Sequence, residues 1–174
     1  IKDAVNVNEY YVGGTYEFYV ETNSYADPLI KVFLSDENNE FAEIVYIDSN
    51  EEMLKTNKPK FKIKMLKEIS SLTITAKSKN YPSIKHDLKI SILPSISLDK
   101  IAGNYYYNSL NDTYIKLFND GTGIAKGDVE NKTYNFTYQI LGSQISLLNS
   151  NDLSKFNASI ELYNDKYDLY GLKS

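Results

Sequence analysis

The stretch YIKLFNDGTGIAKGD, at Tyr114–Asp128, places three glycines and two aspartates among alternating apolar and polar residues. Its centre is an Asp-Gly pair between two alternating segments, which is among the strongest short-range signals for a β-hairpin. Asn119, Asp120 and Gly121 all tolerate the positive φ that a tight turn requires. The stretch therefore predicts a strand, a turn at Asp120 and Gly121, and a second strand antiparallel to the first.

Two other interpretations of these glycines, a phosphate loop and a calcium loop, need features that this sequence lacks. A glycine-rich phosphate loop must open a helix whose first amides meet the phosphate, but the segment that follows, DVENKTYNFTY, has the pattern of a turn and another strand. In a calcium loop centred on Gly121, the earlier ligand positions would be Lys116 and Phe118, which supply no carboxylate oxygen. We therefore predict no metal and no cofactor.

Strand-like alternation extends outward from this hairpin through the second half of the chain. The segment TYNFTYQIL, at residues 133–141, is the clearest case, because it aligns large side chains on one face and polar side chains on the other. The large face consists of Tyr134, Phe136, Tyr138 and Ile140. Residues 98–174 are therefore predicted to form a small antiparallel β domain.

The first part of the chain shows the same alternation in shorter segments. These are TYEFYVET, IKVFL, FAEIVYI, FKIKM, SLTITAKS and HDLKISIL, which begin at Thr15, Ile30, Phe41, Phe61, Ser71 and His86. With an opening strand near Ala4–Asn8, about seven short strands separated by turn clusters are typical of an immunoglobulin-like β-sandwich. We predict this domain over residues 1–94, with Leu93–Lys100 as the boundary segment. Helical periodicity is not convincing anywhere, although Ser49–Lys55 could form one turn.

Composition excludes several classes of partner and site. The chain has 174 residues, and its 19 basic side chains, all lysine, stand against 23 acidic ones, so that the net charge is −4. Nucleic-acid binding relies on clustered Lys and Arg, and we predict no nucleic-acid partner. The lysines of Lys55–Lys67 alternate with Phe61, Ile63 and Met65, which is typical of the solvent face of a strand. Cysteine is absent, which excludes disulfides and thiolate chemistry.

Residues with catalytic chemistry are also scarce. His86 is the only histidine, and we expect it at a partly buried strand end and not as a general base. A glycosidase needs two carboxylates about 5 to 10 Å apart in a cleft. Asp112 with Asp128, and Asp165 with Asp168, are examples of candidate pairs, although spacing in the sequence does not determine the distance between them. Because acids in turns and on surfaces are far commoner, we predict that the protein is not an enzyme.

Several segments of the second domain together resemble the lipocalin-like domains of small bacterial lipoproteins. They are LDKIAGNYYYN, YIKLFNDGTGIAKGD, TYNFTYQILGSQISLL and YDLYGLK, all within residues 98–174. Such domains open with a Gly-x-Tyr step, which Gly103 and Tyr105 match here, and continue through consecutive antiparallel hairpins. The resemblance implies a β-barrel or half-barrel at the bacterial surface or in the periplasm, and we expect membrane attachment only through a lipid anchor that has been removed. A full lipocalin has eight strands, whereas this domain has room for about six or seven.

Sixteen tyrosines and no tryptophan are the unusual feature of the composition. Some are expected in the core of the second domain, namely Tyr105, Tyr107, Tyr134 and Tyr138. Others are expected on outward faces, namely Tyr10, Tyr11, Tyr19, Tyr106, Tyr163 and Tyr170. Exposed tyrosine is a favoured contact residue, because its large rigid ring carries a hydroxyl group.

Two functions from different classes are compatible with these features. In the first, the protein is a non-enzymatic, exported or cell-surface binding protein that contacts a protein or a glycan. In the alternative, the second domain is a lipocalin-like carrier of a small apolar ligand, which a cavity lined by the large face of residues 134–138 would favour. The candidate contacts to a ligand or partner are Tyr105, Tyr107, Tyr134, Phe136, Tyr138, Tyr163 and Tyr170.

Overall fold

The protein is all-β and divides into two compact units, Ile1–Pro94 and Ser95–Ser174. Its structure is a computed structural model that describes residues 1–4, 7, 9–21, 30–35, 39–47, 59–108, 112–126, 132–163 and 166–173. The strands of the first unit are β1 (Lys2–Asp3), β2 (Tyr10–Tyr11), β3 (Thr15–Tyr19), β4 (Ile30–Leu34), β5 (Ala42–Ile47), β6 (Lys60–Met65), β7 (Ile69–Ser78) and β8 (Lys85–Leu93). The second unit contains α1 (Leu98–Ile101), β9 (Tyr105–Asn108), β10 (Thr113–Leu117), β11 (Thr122–Lys126), β12 (Thr133–Leu141), β13 (Gln144–Asn149), β14 (Lys155–Tyr163) and β15 (Lys166–Lys173).

The first unit is an immunoglobulin-like sandwich of two four-stranded sheets. One sheet has the order β1-β3-β6-β5 and the other β2-β8-β7-β4, with β2 parallel to β8 and the other pairs antiparallel. If β1 and β2 are taken as two halves of strand A and the rest are lettered in chain order, the sheets become ABED and AGFC. This is the strand order of an immunoglobulin domain, and it confirms the predicted sandwich.

The core of the sandwich is built from the apolar positions of the alternating segments. Phe18 of β3 and Phe61 of β6 are fully buried, and their rings stack with centroids 5.6 Å apart. From the other sheet, Leu72 and Ile74 are equally buried. The lysines that alternate with the core residues of β6 are exposed, as predicted.

Two local expectations for the first unit are wrong. Tyr10, expected on an outward face, is buried in the core. The structure has a short strand at Lys2–Asp3, and most of the predicted opening strand at Ala4–Asn8 lies outside the described residues. His86 has the predicted parity but is exposed, because residues 85–87 at the start of β8 are all exposed and only the later part of the strand covers the core. Its Nδ1 lies 3.3 Å from the N-terminal nitrogen of Ile1. The possible helical turn at Ser49–Lys55 falls outside the described residues.

The second unit is a seven-stranded antiparallel meander, β9 to β15 in chain order, that curls into a nearly closed barrel. Ser95 already belongs to it, because its Oγ accepts a hydrogen bond from Gly142 N at 2.9 Å. The sequence did not predict the single helical turn α1, whose Ile101 is fully buried in the barrel core. After α1, Gly103 takes a φ of 81° and donates its N–H to the carbonyl of Leu117, which leads the chain into β9.

Candidate functional site

The stretch Tyr114–Asp128 does form the predicted hairpin, with β10 and β11 on either side of the turn. Gly121 has a φ of 81°, and the N–H of Phe118 donates to the carbonyl of Thr122 at 2.8 Å. The Oδ1 of Asp120 accepts hydrogen bonds from the backbone N (2.9 Å) and the Oγ1 (2.6 Å) of Thr122. These bonds lower the pKa of Asp120 and hold its carboxylate in the turn. A strand, and not a helix, follows the glycines.

The principal candidate site is a cavity of about 750 Å³ inside the barrel. All seven strands contribute to its wall. The aromatic and aliphatic lining residues are Tyr106, Tyr107, Tyr114, Ile115, Ala125, Tyr134, Phe136, Leu147, Phe156 and Leu169. The polar lining residues are Thr113, Lys126, Asn149, Asp152, Ser154 and Asp168. The cavity is therefore mostly apolar, with a small set of polar groups.

Side chains fill one end of the barrel and leave the cavity at the other. Leu117, Ile145 and Ile101 are fully buried in the filled end and do not line the cavity. Tyr138 is also packed into the core, where its hydroxyl donates to the carbonyl of Phe118 at 2.7 Å. Of the rings on the large face of β12, Tyr134 and Phe136 thus line the cavity and Tyr138 does not.

A glycine on β11 makes room for one of the cavity rings. Gly123 pairs with Phe136 across the β11–β12 ladder. A Cβ at this glycine would lie within 2.6 Å of the carbonyl oxygen of Lys116 and would overlap the Phe136 ring. The absence of a side chain at Gly123 therefore lets the ring of Phe136 approach the backbone of β11 closely.

The two middle tyrosines of β9 occupy the opposite faces from those predicted. Tyr106 is half-buried and packs against the barrel core, because it pairs with the inward-facing Ile115 on β10. Tyr107 is 56% exposed, and its hydroxyl donates to Asp112 Oδ1 at 3.0 Å. The expectation of Tyr107 in the core and Tyr106 outside was therefore wrong. The side chains of Tyr105, Tyr163 and Tyr170 lie outside the described residues.

The exposed part of the cavity wall carries more negative than positive charge. Lys126 forms an ion pair with Asp112, which lowers the pKa of Asp112 and raises that of Lys126. Two more carboxylates, Asp152 and Asp168, are exposed lining residues, and within the described part of the chain neither has a cation within ion-pair distance. The backbone N and Oγ of Ser154 donate to Asp152 Oδ1, which lowers the pKa of Asp152.

Sequence reasoning missed Asn149, a polar residue in the inner part of the wall. It is only 7% exposed and lies directly across the β12–β13 ladder from Phe136. Its Oδ1 accepts the backbone N–H of Asn151 at 2.9 Å. The signal was available, because Asn149 shares strand parity with the inward-facing Ile145 and Leu147.

Each of the two candidate acid pairs has one member outside the described residues. Asp112 is exposed and engaged by Lys126 and Tyr107. Asp168 lies at the cavity, whereas its sequence neighbour Asp165 and the other acid, Asp128, are outside the described residues. His86 belongs to the first unit and does not line the cavity.

No group of three or more His, Cys, Asp or Glu side chains is arranged to hold a metal ion within the part of the chain that the structure covers. Among the same residues, no helix has the length and apolar character needed to span a membrane.

Compared with protein-family models, with curated proteins and with solved structures, the chain matches none of them.

Proposed function

We propose that the C-terminal unit binds a small, largely apolar ligand inside its barrel. The observation that carries this proposal is the cavity of about 750 Å³ with its aromatic lining. Its size falls within the range of about 300 to 1,000 Å³ that is usual for small-molecule sites, and a mostly apolar wall with a few polar groups is the usual composition of such sites.

Strand pairing and core packing hold the wall of the cavity in place, which favours binding. Strand β12, which carries Tyr134 and Phe136, is hydrogen-bonded to β11 on one side and to β13 on the other. The packed core at the filled end of the barrel also restrains it. A ligand that enters the cavity removes apolar surface from water on both partners, which contributes about 25 cal/mol per Å². Because the backbone need not rearrange, little of this gain is lost to ordering the site.

A cavity-filling substitution tests the proposal. Ala125 lines the cavity, and Ala125→Trp places a large ring inside it. Thr137→Trp is the matched control, because Thr137 lies on the exposed face of the neighbouring strand. The uncharged dye Nile red is titrated against each protein and followed by its fluorescence, while circular dichroism and the melting temperature monitor folding.

We expect Nile red to bind the unchanged protein and the Thr137→Trp variant with similar affinity. The Ala125→Trp variant should bind at least about tenfold more weakly, since a filled pocket loses more than about 1.4 kcal/mol of apolar contact. Equal binding to both variants, or no binding to the unchanged protein, would contradict the proposal.

We also propose, as a second function, that the rim of the barrel contacts a protein or glycan partner. The supporting observation is Tyr107, which is 56% exposed and is held in place by its hydrogen bond to Asp112. A rigid, exposed tyrosine loses little entropy on contact. A glycan array and immobilised extracellular proteins serve as probes. A partner found there should bind the Tyr107→Ser variant more weakly and the Ala125→Trp variant with unchanged affinity. If only Ala125→Trp weakens binding, the partner occupies the cavity and not the rim.

The surface location remains a proposal that follows from the resemblance to lipocalin-like lipoprotein domains. It is tested on the natural, full-length protein by fractionating cells and treating intact cells with protease. Recovery in the membrane fraction with cleavage from outside would support it, and recovery in the cytosol would contradict it.

A further inference from the structure

We propose that the ligand of the barrel cavity carries an acceptor oxygen, such as a carbonyl group, that binds the side-chain amide of Asn149, and that it is not an anion. This inference rests on the proposed function, because it specifies the chemistry of the molecule that occupies the same cavity. It follows from three features of the wall: an unused donor, a nearby hydroxyl group and the sign of the charge around the opening.

The unused donor is the Nδ2 group of Asn149. The Oδ1 of this residue accepts the N–H of Asn151, which fixes the orientation of the amide, since Nδ2 could not accept that hydrogen bond. Within the described part of the chain, Nδ2 itself has no protein acceptor, and no fully buried side-chain nitrogen or oxygen lacks a partner. The Nδ2 group therefore reaches open space, and the open space that this 93% buried residue lines is the cavity.

An apolar ligand would be a poor occupant of this position. If it covered Nδ2 and excluded water, it would leave a buried donor without an acceptor, which costs more than a typical hydrogen bond contributes. A ligand oxygen at hydrogen-bond distance removes that penalty. The unpaired amide therefore selects for an acceptor-bearing molecule over a hydrocarbon of the same shape.

Tyr134 supplies a second polar group on the same wall. Phe136 lies opposite Asn149, and Tyr134 is two residues from Phe136 on the same face of β12. Tyr134 and Asn149 are therefore diagonal neighbours in the sheet, with their Cα atoms roughly 7–8 Å apart. The described structure shows no protein partner for the Tyr134 hydroxyl, and the ring lines the cavity. This hydroxyl can donate to, or accept from, the same polar end of a ligand.

The charge around the opening disfavours anionic ligands. Lys126 is the cation of the wall, and Asp112 already neutralises it. The carboxylates of Asp152 and Asp168 remain, so that a ligand carboxylate or phosphate would enter a site of its own sign and lose its hydration there.

Three naphthalene derivatives of similar shape test both parts of the inference by competition with Nile red at pH 7.5. They are 2-acetylnaphthalene, which carries a carbonyl oxygen, 2-ethylnaphthalene, which carries none, and 2-naphthoate, which is an anion. We expect the ketone to compete at a concentration about three- to tenfold lower than the hydrocarbon, which is the range that one net hydrogen bond supplies. The naphthoate should be weaker than the ketone by at least about tenfold.

Two variants assign the preference to Asn149. Asn149→Leu removes the amide, and Asn149→Asp keeps an acceptor for the N–H of Asn151 while it removes the donor. Both variants should reduce the preference for the ketone over the hydrocarbon to less than about twofold. Asn149→Asp also preserves the hydrogen bond of the turn, so that a change in this variant is due to the lost donor. The double variant Asp152→Asn with Asp168→Asn should narrow the difference between the naphthoate and the ketone to less than about threefold.

The outcomes separate the two proposals. If Nile red and all three naphthalenes fail to bind, the proposed ligand-binding function is wrong. If they bind but the ketone and hydrocarbon compete equally, or if both Asn149 variants keep the preference, the cavity binds ligands and the role of Asn149 is wrong. Equal competition by the ketone and the naphthoate in the unchanged protein would overturn the exclusion of anions.

Discussion

The ring of Phe136 packs against Gly123 on the neighbouring strand, and a Cβ at that glycine would overlap the ring. The contact joins the hairpin at residues 114–126 to the wall of the cavity, since Phe136 lines that cavity. The glycine that resembles part of a phosphate loop in the sequence is thus a packing position in the structure.

We expect Gly123→Ala to destabilise the C-terminal unit by about 1–3 kcal/mol, the usual cost of overpacking. The added methyl group must displace either the Phe136 ring or the backbone at Lys116. Hydrogen exchange of the amides in β11 and β12 measures the effect in this unit alone. Thr137→Ala, on the exposed face, should change stability by less than about 0.5 kcal/mol. Equal effects of the two substitutions would contradict the tight contact.

Tyr138 should make the stability of the C-terminal unit fall at alkaline pH. Burial raises the pKa of its hydroxyl, which donates to the carbonyl of Phe118. Because the folded pKa lies above the unfolded value of about 10, this contribution to stability is complete below pH ~10 and is lost as the pH rises through the folded pKa. Denaturant unfolding from pH 7 to 12 should show this loss.

The substitution Tyr138→Phe separates the hydroxyl from the ring. We expect it to cost about 1 kcal/mol at pH 7, because the carbonyl of Phe118 loses the hydroxyl and keeps only the longer hydrogen bond from Gly121 N. The decline above pH ~10 should also become shallower. Tyr81→Phe, at an exposed position of the first unit, should leave the stability at pH 7 unchanged. An unaltered alkaline decline in Tyr138→Phe would show that this hydroxyl is not responsible.

The first unit depends on ring packing in place of a disulfide, since the chain has no cysteine. Phe61 is fully buried against Phe18, and we expect Phe61→Ala to destabilise this unit by about 3–5 kcal/mol. Lys64→Ala, at an exposed position of the same strand, should cost less than about 0.5 kcal/mol. Denaturant unfolding measures both, and a loss under 1 kcal/mol for Phe61→Ala would contradict a shared core between the two sheets.

Chelation should leave the protein unchanged. The Asp120 carboxylate accepts two hydrogen bonds from Thr122, so that the hairpin turn closes with protein groups alone. We expect dialysis against EDTA, and later addition of Ca²⁺, to leave the melting temperature where it was. A fall of several degrees after dialysis, reversed by the cation, would reveal a metal site.

The sequence predicted sheet faces well where side chains alternate. In β12, large and polar residues take turns, and the buried positions are the predicted Phe136, Tyr138 and Ile140. In β9, three tyrosines stand in a row, so that alternation gives no preference between the two faces. The pairing of Tyr106 with Ile115 determines which tyrosine faces the core, and this pairing is known only from the folded sheet.

The sequence by itself determined that this chain is extended, that its turns lie at Asp-Gly and similar clusters, and that it builds two β units, because strand period and turn chemistry are local properties. Only the tertiary structure decided that seven strands curl far enough to form an open cavity and that Asn149 lines it beside Phe136. Enclosure depends on how strands distant in sequence pack and on how much of the interior their side chains fill. Those quantities belong to the folded chain as a whole.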